Sequence, residues 1–314
     1  MKRGTSGIDA LIAVNKPCGM TSHDVVSRVR RALGERRVGH AGTLDPDASG
    51  VLVVGVGQGT RLMGQLTLDR KSYVGLVAFG AETDTDDAAG SVVRTAEVPA
   101  WLADHERAAA CVEALVGEHE QVPPAYSAIS VDGVRSYARA RAGEAVELAA
   151  RPVTIFGASL IAVQGGAEAP SWLCSFDVSK GCYIRSIARD LGRAQGSAAH
   201  LAALQRTSSG VVGMGDCVTI EELDAQGPAL VAERSLDPVR ALGLPVRVLS
   251  DAEAQDVACG RRIARGSFAS GEVPGEGGRV SVVHNDRLMG VWESVAGELR
   301  CATNFPGGIF GVRS

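Results

Sequence analysis

Val38-Gly39-His40-Ala41-Gly42-Thr43-Leu44-Asp45-Pro46-Asp47-Ala48-Ser49-Gly50 places one acid on a loop built to display it. Gly39, Gly42 and Gly50 permit backbone shapes that a residue with a Cβ resists. Pro46 fixes its own φ and biases Asp45 toward an extended conformation. The apolar run 51–56 follows directly and reads as a buried strand, so the loop sits at the mouth of a core element. A carboxylate in that position can serve as a nucleophile or a base. It can equally do no more than shape a turn, as Asp before Pro often does.

Working outward, residues 8–14 predict a strand that ends at Lys16-Pro17-Cys18-Gly19. Thr21 or Ser22 caps a helix in which Val25, Val26, Val29 and Leu33 recur at helical spacing, with Gly34 as its stop. Residues 71–80 alternate, sending Tyr73, Gly75, Val77 and Phe79 to one face. A helix is expected over 99–118, a hairpin turn at Val131-Asp132-Gly133-Val134 and a short arginine-studded helix over 136–142. Strands over 153–163 and 172–178 precede a helix over 183–193. Strands and helices interleave without a regular βαβ rhythm, which points to an α+β fold: a mixed sheet with flanking helices.

The length of 314 residues suits two domains better than one. A boundary falls near Ala241-Leu242-Gly243-Leu244-Pro245, giving domains over 1–242 and 245–314. The second holds a helix over 250–262 with Arg261 and Arg262 in its last turn. A Gly-rich patch over 271–278 and short strands over 279–284, 287–293 and 298–304 follow, with Asn285-Asp286 as the tight turn.

Seven scattered cysteines form no C-x-x-C pair, so neither a zinc site nor a disulfide framework is supported. A reducing cytoplasm is the expected setting, since no secretory signal opens the sequence and no apolar run approaches a membrane span. The net charge of −4 hides segregation. Residues 28–37 carry five arginines against one acid, while acids gather in Glu82-Thr83-Asp84-Thr85-Asp86-Asp87. Arginines cluster again at Arg135, Arg139, Arg141 and Arg151, at Arg185, Arg189 and Arg193, and at Arg261, Arg262 and Arg265. Local field decides where a polyanion docks, and each such run is either a phosphate contact or a solvated helix face.

Four segments together resemble the bacterial tRNA pseudouridine synthase B (TruB) family. They are Asn15-Lys16-Pro17-Cys18-Gly19-Met20-Thr21-Ser22; the 38–50 loop with Gly42-Thr43-Leu44-Asp45-Pro46; Lys71-Ser72-Tyr73 followed by Thr83-Asp84-Thr85-Asp86; and Lys180-Gly181-Cys182-Tyr183-Ile184-Arg185-Ser186. Pro123-Pro124-Ala125-Tyr126-Ser127-Ala128 and His200-Leu201-Ala202-Ala203-Leu204-Gln205-Arg206 match in kind and order, so the resemblance covers nearly the whole chain. It implies a largely antiparallel pseudouridine-synthase sheet and a small PUA-like C-terminal domain. It also implies a thumb-like insert at about 124–151 and isomerisation of the T-loop uridine of tRNA (position 55), with no metal or other cofactor, by a cytoplasmic enzyme for which nothing requires more than a monomer.

The same resemblance implies roles. Asp45 is the catalytic carboxylate, Arg185 its charge partner, and Tyr73 the ring that stacks on the flipped uracil and handles a proton. Tyr183 and Leu204 wall the pocket. His40 wedges into the T-loop in place of the extruded base, and Lys16 contacts a phosphate or packs. Asp47 departs from the family pattern, and a second carboxylate so close to Asp45 would raise that group's pKa on near approach.

Two other readings compete. Gly55-Val56-Gly57-Gln58-Gly59-Thr60 after an apolar strand imitates a dinucleotide loop, though Thr60 stands where the third glycine should fall. A non-catalytic RNA-binding protein would suit the basic clusters but gives no reason for Asp45, Tyr73 and Arg185 to occur together.

Overall fold

Alternation along the strand Ala10–Lys16 organises the first half of the structure. In this computed structural model the described residues are 6–313, apart from 67–69, 128–129, 132–133, 136–147, 167–168, 265, 267, 270 and 273. They form two compact units, one of Met1–Pro46, Gly50–Asp69 and Ser208–Ser314, the other of Asp47–Ser49 and Arg70–Thr207.

In the first unit, Ala10–Lys16 pairs antiparallel with Ala48–Val56, from Ala10 opposite Val56 to Lys16 opposite Gly50. It runs parallel to Cys217–Val218, so the sheet is mixed. Val38–Ala41 pairs antiparallel with the same Ala48–Val56 strand, placing His40 opposite Val54. Successive side chains point to opposite faces. Ile12, Val14, Leu52 and Val54 therefore meet Val25, Val26, Val29 and Leu33 of the helix Ser22–Leu33. Leu11, Ala13, Val51 and Val53 face the other way, against Leu288, Val291, Phe305 and Ile309 near the chain's end. The helix starts where expected, in a Thr21–Asp24 capping box, and stops at left-handed Gly34.

The C-terminal sheet orders its strands Val246–Val248, Arg279–His284, Arg287–Val295, Glu298–Phe310 and Ile263–Ala264. Asn285 and Asp286 take φ of 47° and 55°, the double left-handed turn that matches the twist of a two-residue hairpin. The preceding helix is shorter than the sequence suggests: Asp251–Ala258 begins at Ser250, and Arg261 and Arg262 lie beyond it.

In the second unit, Lys71–Phe79 pairs with Ser171–Val178, that strand with Arg151–Gln164, and Arg151–Gln164 with Gly117–Gln121, all antiparallel. Tyr73, Gly75, Val77 and Phe79 share the buried face as the alternation predicts. The helix expected over 99–118 divides instead. Asp104 is extended and its carboxylate accepts from the N–H groups of Glu106 and Arg107, so it starts the helix His105–Glu113 afresh after a 3-10 turn. Gly117, at φ 140°, then opens a strand. Most of the thumb-like insert, including the helix expected over 136–142, lies outside the described residues. Of the expected hairpin the flanking strands are described, with Ser130–Val131 antiparallel to Val134–Arg135. Among the described residues no helix is long and apolar enough to cross a membrane.

The imitation dinucleotide loop has a packing explanation. A Cβ on Gly59 would stand 2.2 Å from the Ala10 carbonyl oxygen, and one on Gly57 2.2 Å from the Asp9 carboxylate. Asp9 itself accepts from the Gln58 N–H and side-chain amide, so the chain's own carboxylate sits where a phosphate would bind. Gly59→Ala should therefore destabilise by about 1–3 kcal/mol through overpacking. Gly64→Ala, which faces open space in the next helical turn, should leave the midpoint of thermal unfolding unchanged or raise it. Equal midpoints for the two variants would contradict this packing.

Candidate active site

Three of the expected site residues, Lys16, His40 and Asp45, belong to the first unit, and the loop bearing Asp45 is held from both sides. Ser22 opens the helix Ser22–Leu33. Its buried hydroxyl donates to the Leu44 carbonyl (3.1 Å) and accepts from the Leu44 N–H (2.9 Å). On the other flank, the Pro46 carbonyl accepts from the Gly19 N–H at 2.9 Å and from Lys16 Nζ at 2.9 Å. Lys16 Nζ also donates to the carbonyls of Pro17 (2.9 Å) and Met20 (2.6 Å). An ammonium has three N–H donors, and these three carbonyls satisfy them.

Lys16 is fully buried. In this structure its ammonium braces the turn after the strand and the Asp45 loop. The Asn15–Ser22 segment is the clamp on the Asp45 loop. Gly42 at φ 72° and Gly50 at φ 104° confirm that the loop needs left-handed backbone at both ends. Leu44 is buried, Asp45 half-buried and Asp47 exposed. His40 is half-buried in its strand.

Tyr73, Tyr183, Arg185 and Leu204 belong to the second unit, where Gly75 shows how closely their elements approach. A Cβ on Gly75 would lie 3.1 Å from Leu201 Cδ1, 3.5 Å from Ile184 Cγ2 and 3.6 Å from Leu204 Cδ1. The Tyr73 strand, the start of the helix Ile184–Ala194 and the strand Ala199–Ser209 thus converge on one point. Tyr73 is buried to 8% exposure two residues before Gly75.

Gln121, which the sequence reading passed over, fixes Tyr183. Its side-chain oxygen accepts from the Tyr183 N–H at 2.8 Å and its amide donates to the Tyr183 carbonyl at 3.1 Å. Burial pushes the adjacent Cys182 thiol up to about 12, so that cysteine stays protonated and is no nucleophile at neutral pH.

Arg185 is buried, with its guanidinium donating to the carbonyls of Thr85 (2.9 Å) and Tyr126 (3.1 Å) and lying 3.5 Å from the Asp87 carboxylate. Arg189, one turn on, donates to Asp86 at 2.8 Å and to the Val122 carbonyl at 2.9 Å. Arg193 pairs with Glu82 at 2.6 Å, and Arg94 joins the same carboxylate. The 185/189/193 cluster, weighed from the sequence as polyanion contact or solvated face, is thus a ladder on which the acidic 82–87 run folds.

Charge follows this burial. The Arg193 guanidinium bonded to Glu82 holds its carboxyl below the usual range, against the opposing effect of burial and with further help from Arg94. At Asp86 burial dominates and pushes the carboxyl up, although Arg189 and Arg185 pull the other way.

The TruB family pseudouridylate synthase N-terminal domain matches residues 30–184, and the tRNA pseudouridylate synthase B C-terminal domain matches 185–246. The tRNA pseudouridine synthase B of Mycobacteroides abscessus is 45% identical over 280 residues, covering 89% of this chain and 90% of the relative. The chain belongs to the TruB family. It is a pseudouridylate synthase, an isomerase. The tRNA pseudouridine synthase B of Leifsonia xyli subsp. xyli is 42% identical over 297 residues, covering 94% of this chain and 96% of its own. The fold is shared with a solved H/ACA RNP bound to a substrate RNA containing 2'-deoxyuridine, at TM-score 0.70 and 21% identity, over 96% of this chain and 87% of that one.

The ladder has a pH signature. Because Glu82 is held low in the folded state, its contribution to stability is present above the ordinary glutamate pKa of about 4.3 and is lost as pH falls below it. Glu82→Gln should unfold at a lower temperature than wild type at pH 7, and the two melting curves should converge toward pH 3.5. A gap of equal size at both pH values would contradict the ion-pair account.

Proposed function

We propose that this TruB-family isomerase converts uridine 55 in the T-loop of tRNA to pseudouridine, with Asp45 as the reacting carboxylate. The observation that carries the assignment is the double clamp on its loop. Ser22 grips Leu44, and Lys16 and Gly19 grip Pro46, so the residue between them is presented on a fixed backbone. Fixed geometry of this kind is what converts a weak nucleophile into an effective one. The curated relatives' names supply the substrate class, tRNA.

The reaction breaks the C1′–N1 bond, turns the uracil, and joins C5 to C1′. C5 then loses its proton and N1 gains one, so atoms and electrons balance without redox chemistry or a high-energy donor. Asp45 attacks C1′ or promotes departure of the base electrostatically; both routes need it ionised. Arg185, held by Thr85, Tyr126 and Asp87, supplies the compensating charge. Tyr73 stacks on the turned base with its hydroxyl at hand for the proton, and Tyr183 and Leu204 wall the pocket. His40 fills the gap left in the T-loop, offsetting part of the few kcal/mol that base extrusion costs. In this reading residues 1–242 carry the chemistry, the 124–151 insert closes over the RNA, and 245–314 add RNA contacts.

Incubation with tRNA tritiated at uracil C5 tests the proposal. Wild-type protein should release tritium without ATP, nicotinamide or added metal. Asp45→Asn, nearly isosteric but uncharged, should release none while binding tRNA within a few-fold of wild type. Turnover at a tenth of the wild-type rate would refute the role of Asp45. Tight tRNA binding without release by wild type would leave a non-catalytic RNA-binding protein.

A further inference from the structure

At the far end of the helix Ser22–Leu33, Ser27, Arg30, Arg31, Gly34, Glu35 and Arg36 line an open polar concavity. Its charges are unbalanced. The side chains of Arg31 and Arg36 are exposed and make no hydrogen bond or ion pair among the described residues. Arg30 spends one Nη on the Val38 carbonyl at 3.0 Å, while its buried Nε–H has no acceptor among the described residues. The neighbouring Arg28 is paired with Asp224, and Arg37 lies near Glu35 and Asp9, so these two are already compensated.

Glu35 does not neutralise the remaining three. Its carboxylate accepts from the Ser6 N–H, the Ser6 hydroxyl and the Arg37 N–H. Burial works to raise its pKa, but those bonds outweigh burial and hold it low. The negative end of the helix dipole also lies here, and its half charge is small beside three guanidinium groups. Arginine forks match phosphate oxygens bidentately, and an open concavity suits a backbone that runs through it better than a ligand to be enclosed.

We infer that Arg30, Arg31 and Arg36 form a second RNA-phosphate site, separate from the loop that presents Asp45. The spacing supports a polynucleotide over a free nucleotide. Ser22 bonds to Leu44 beside Asp45, and Arg31 to Gly34 lie about 14–18 Å along the axis from Ser22 at 1.5 Å per residue. One uridine seated at Asp45 cannot reach that far, whereas a folded RNA can. The inference rests on the proposed tRNA reading for its ligand class and extends it to residues outside the reacting pocket.

The test is the salt dependence of tRNA binding by the full chain, wild type against Arg31→Ala/Arg36→Ala. Both side chains are exposed and have no partner among the described residues, so the variant should fold. Losing two phosphate contacts should reduce the slope of log Kd against log salt by about 1.4–1.8 and weaken binding several-fold at moderate salt. Tritium release at saturating tRNA should stay within twofold of wild type. Arg107→Ala, which removes an exposed charge in the second unit, should keep the wild-type slope. An unchanged slope in the double variant, or an equal change per charge in Arg107→Ala, would overturn the site. Failure of wild type to release tritium would instead refute the catalytic reading, and the slope comparison would still decide the phosphate site.

Discussion

One buried ammonium group underlies the geometry of the Asp45 loop. Lys16 ends its strand inside the protein and gathers the carbonyls of Pro17, Met20 and Pro46. Burying a cation costs several kcal/mol unless its donors are satisfied, and hydrogen bonds from a charged donor contribute about 1.5–3 kcal/mol each. The arrangement holds only while the turn after the strand and the loop after His40 keep their positions together. Ser22 adds a second anchor one residue on the other side of Asp45. The acid is therefore fixed by the chain on both sides of it, as the proposed role of Asp45 requires.

The second unit is likewise organised by cations, here guanidinium groups set against carboxylates as well as carbonyls. The helix Ile184–Ala194 sends Arg185, Arg189 and Arg193 toward one acidic segment, at the four-residue spacing that stacks side chains on one face. Ser186 and Arg189 both reach the Val122 carbonyl, and Arg185 reaches that of Tyr126. The segment leading into the insert and the acidic 82–87 run are thus tied to a single helix face. The Arg185 and Arg189 pairs are buried, and such pairs contribute specificity of placement more than net stability, because desolvation offsets much of their attraction.

Local rules carried far in the sequence wherever structure is locally decided. The Thr21 cap, the Gly34 stop, the alternation around Tyr73 and the Asn285-Asp286 turn all follow from backbone preference and periodicity. What the sequence concealed was partnership at long range. Lys16 reads equally as a phosphate contact or a packing residue, and only the fold brings the carbonyls of Pro17, Met20 and Pro46 to its ammonium. The three arginines of the 184–194 helix read as polyanion contact or solvated face because their acids lie about a hundred positions away. Gln121 has no signal at all, since a glutamine at a strand end is ordinary until its amide meets Tyr183. At Asp104 two local signals conflict: an Asp two residues before Glu106 is a good cap, yet the apolar spacing runs on across it as if through one helix.

The central claim is that backbone anchoring of the Asp45 loop, and not only the presence of Asp45, gives the chain its activity. Ser22→Ala removes one hydroxyl on the helix side and leaves the carboxylate untouched. Single-turnover tritium release from C5-tritiated tRNA, measured with tRNA affinity on the same protein, is the most direct reading. The account predicts a rate constant reduced at least tenfold, about 1.4 kcal/mol in the barrier, with affinity unchanged within twofold. A wild-type rate constant in a folded Ser22→Ala protein would contradict it.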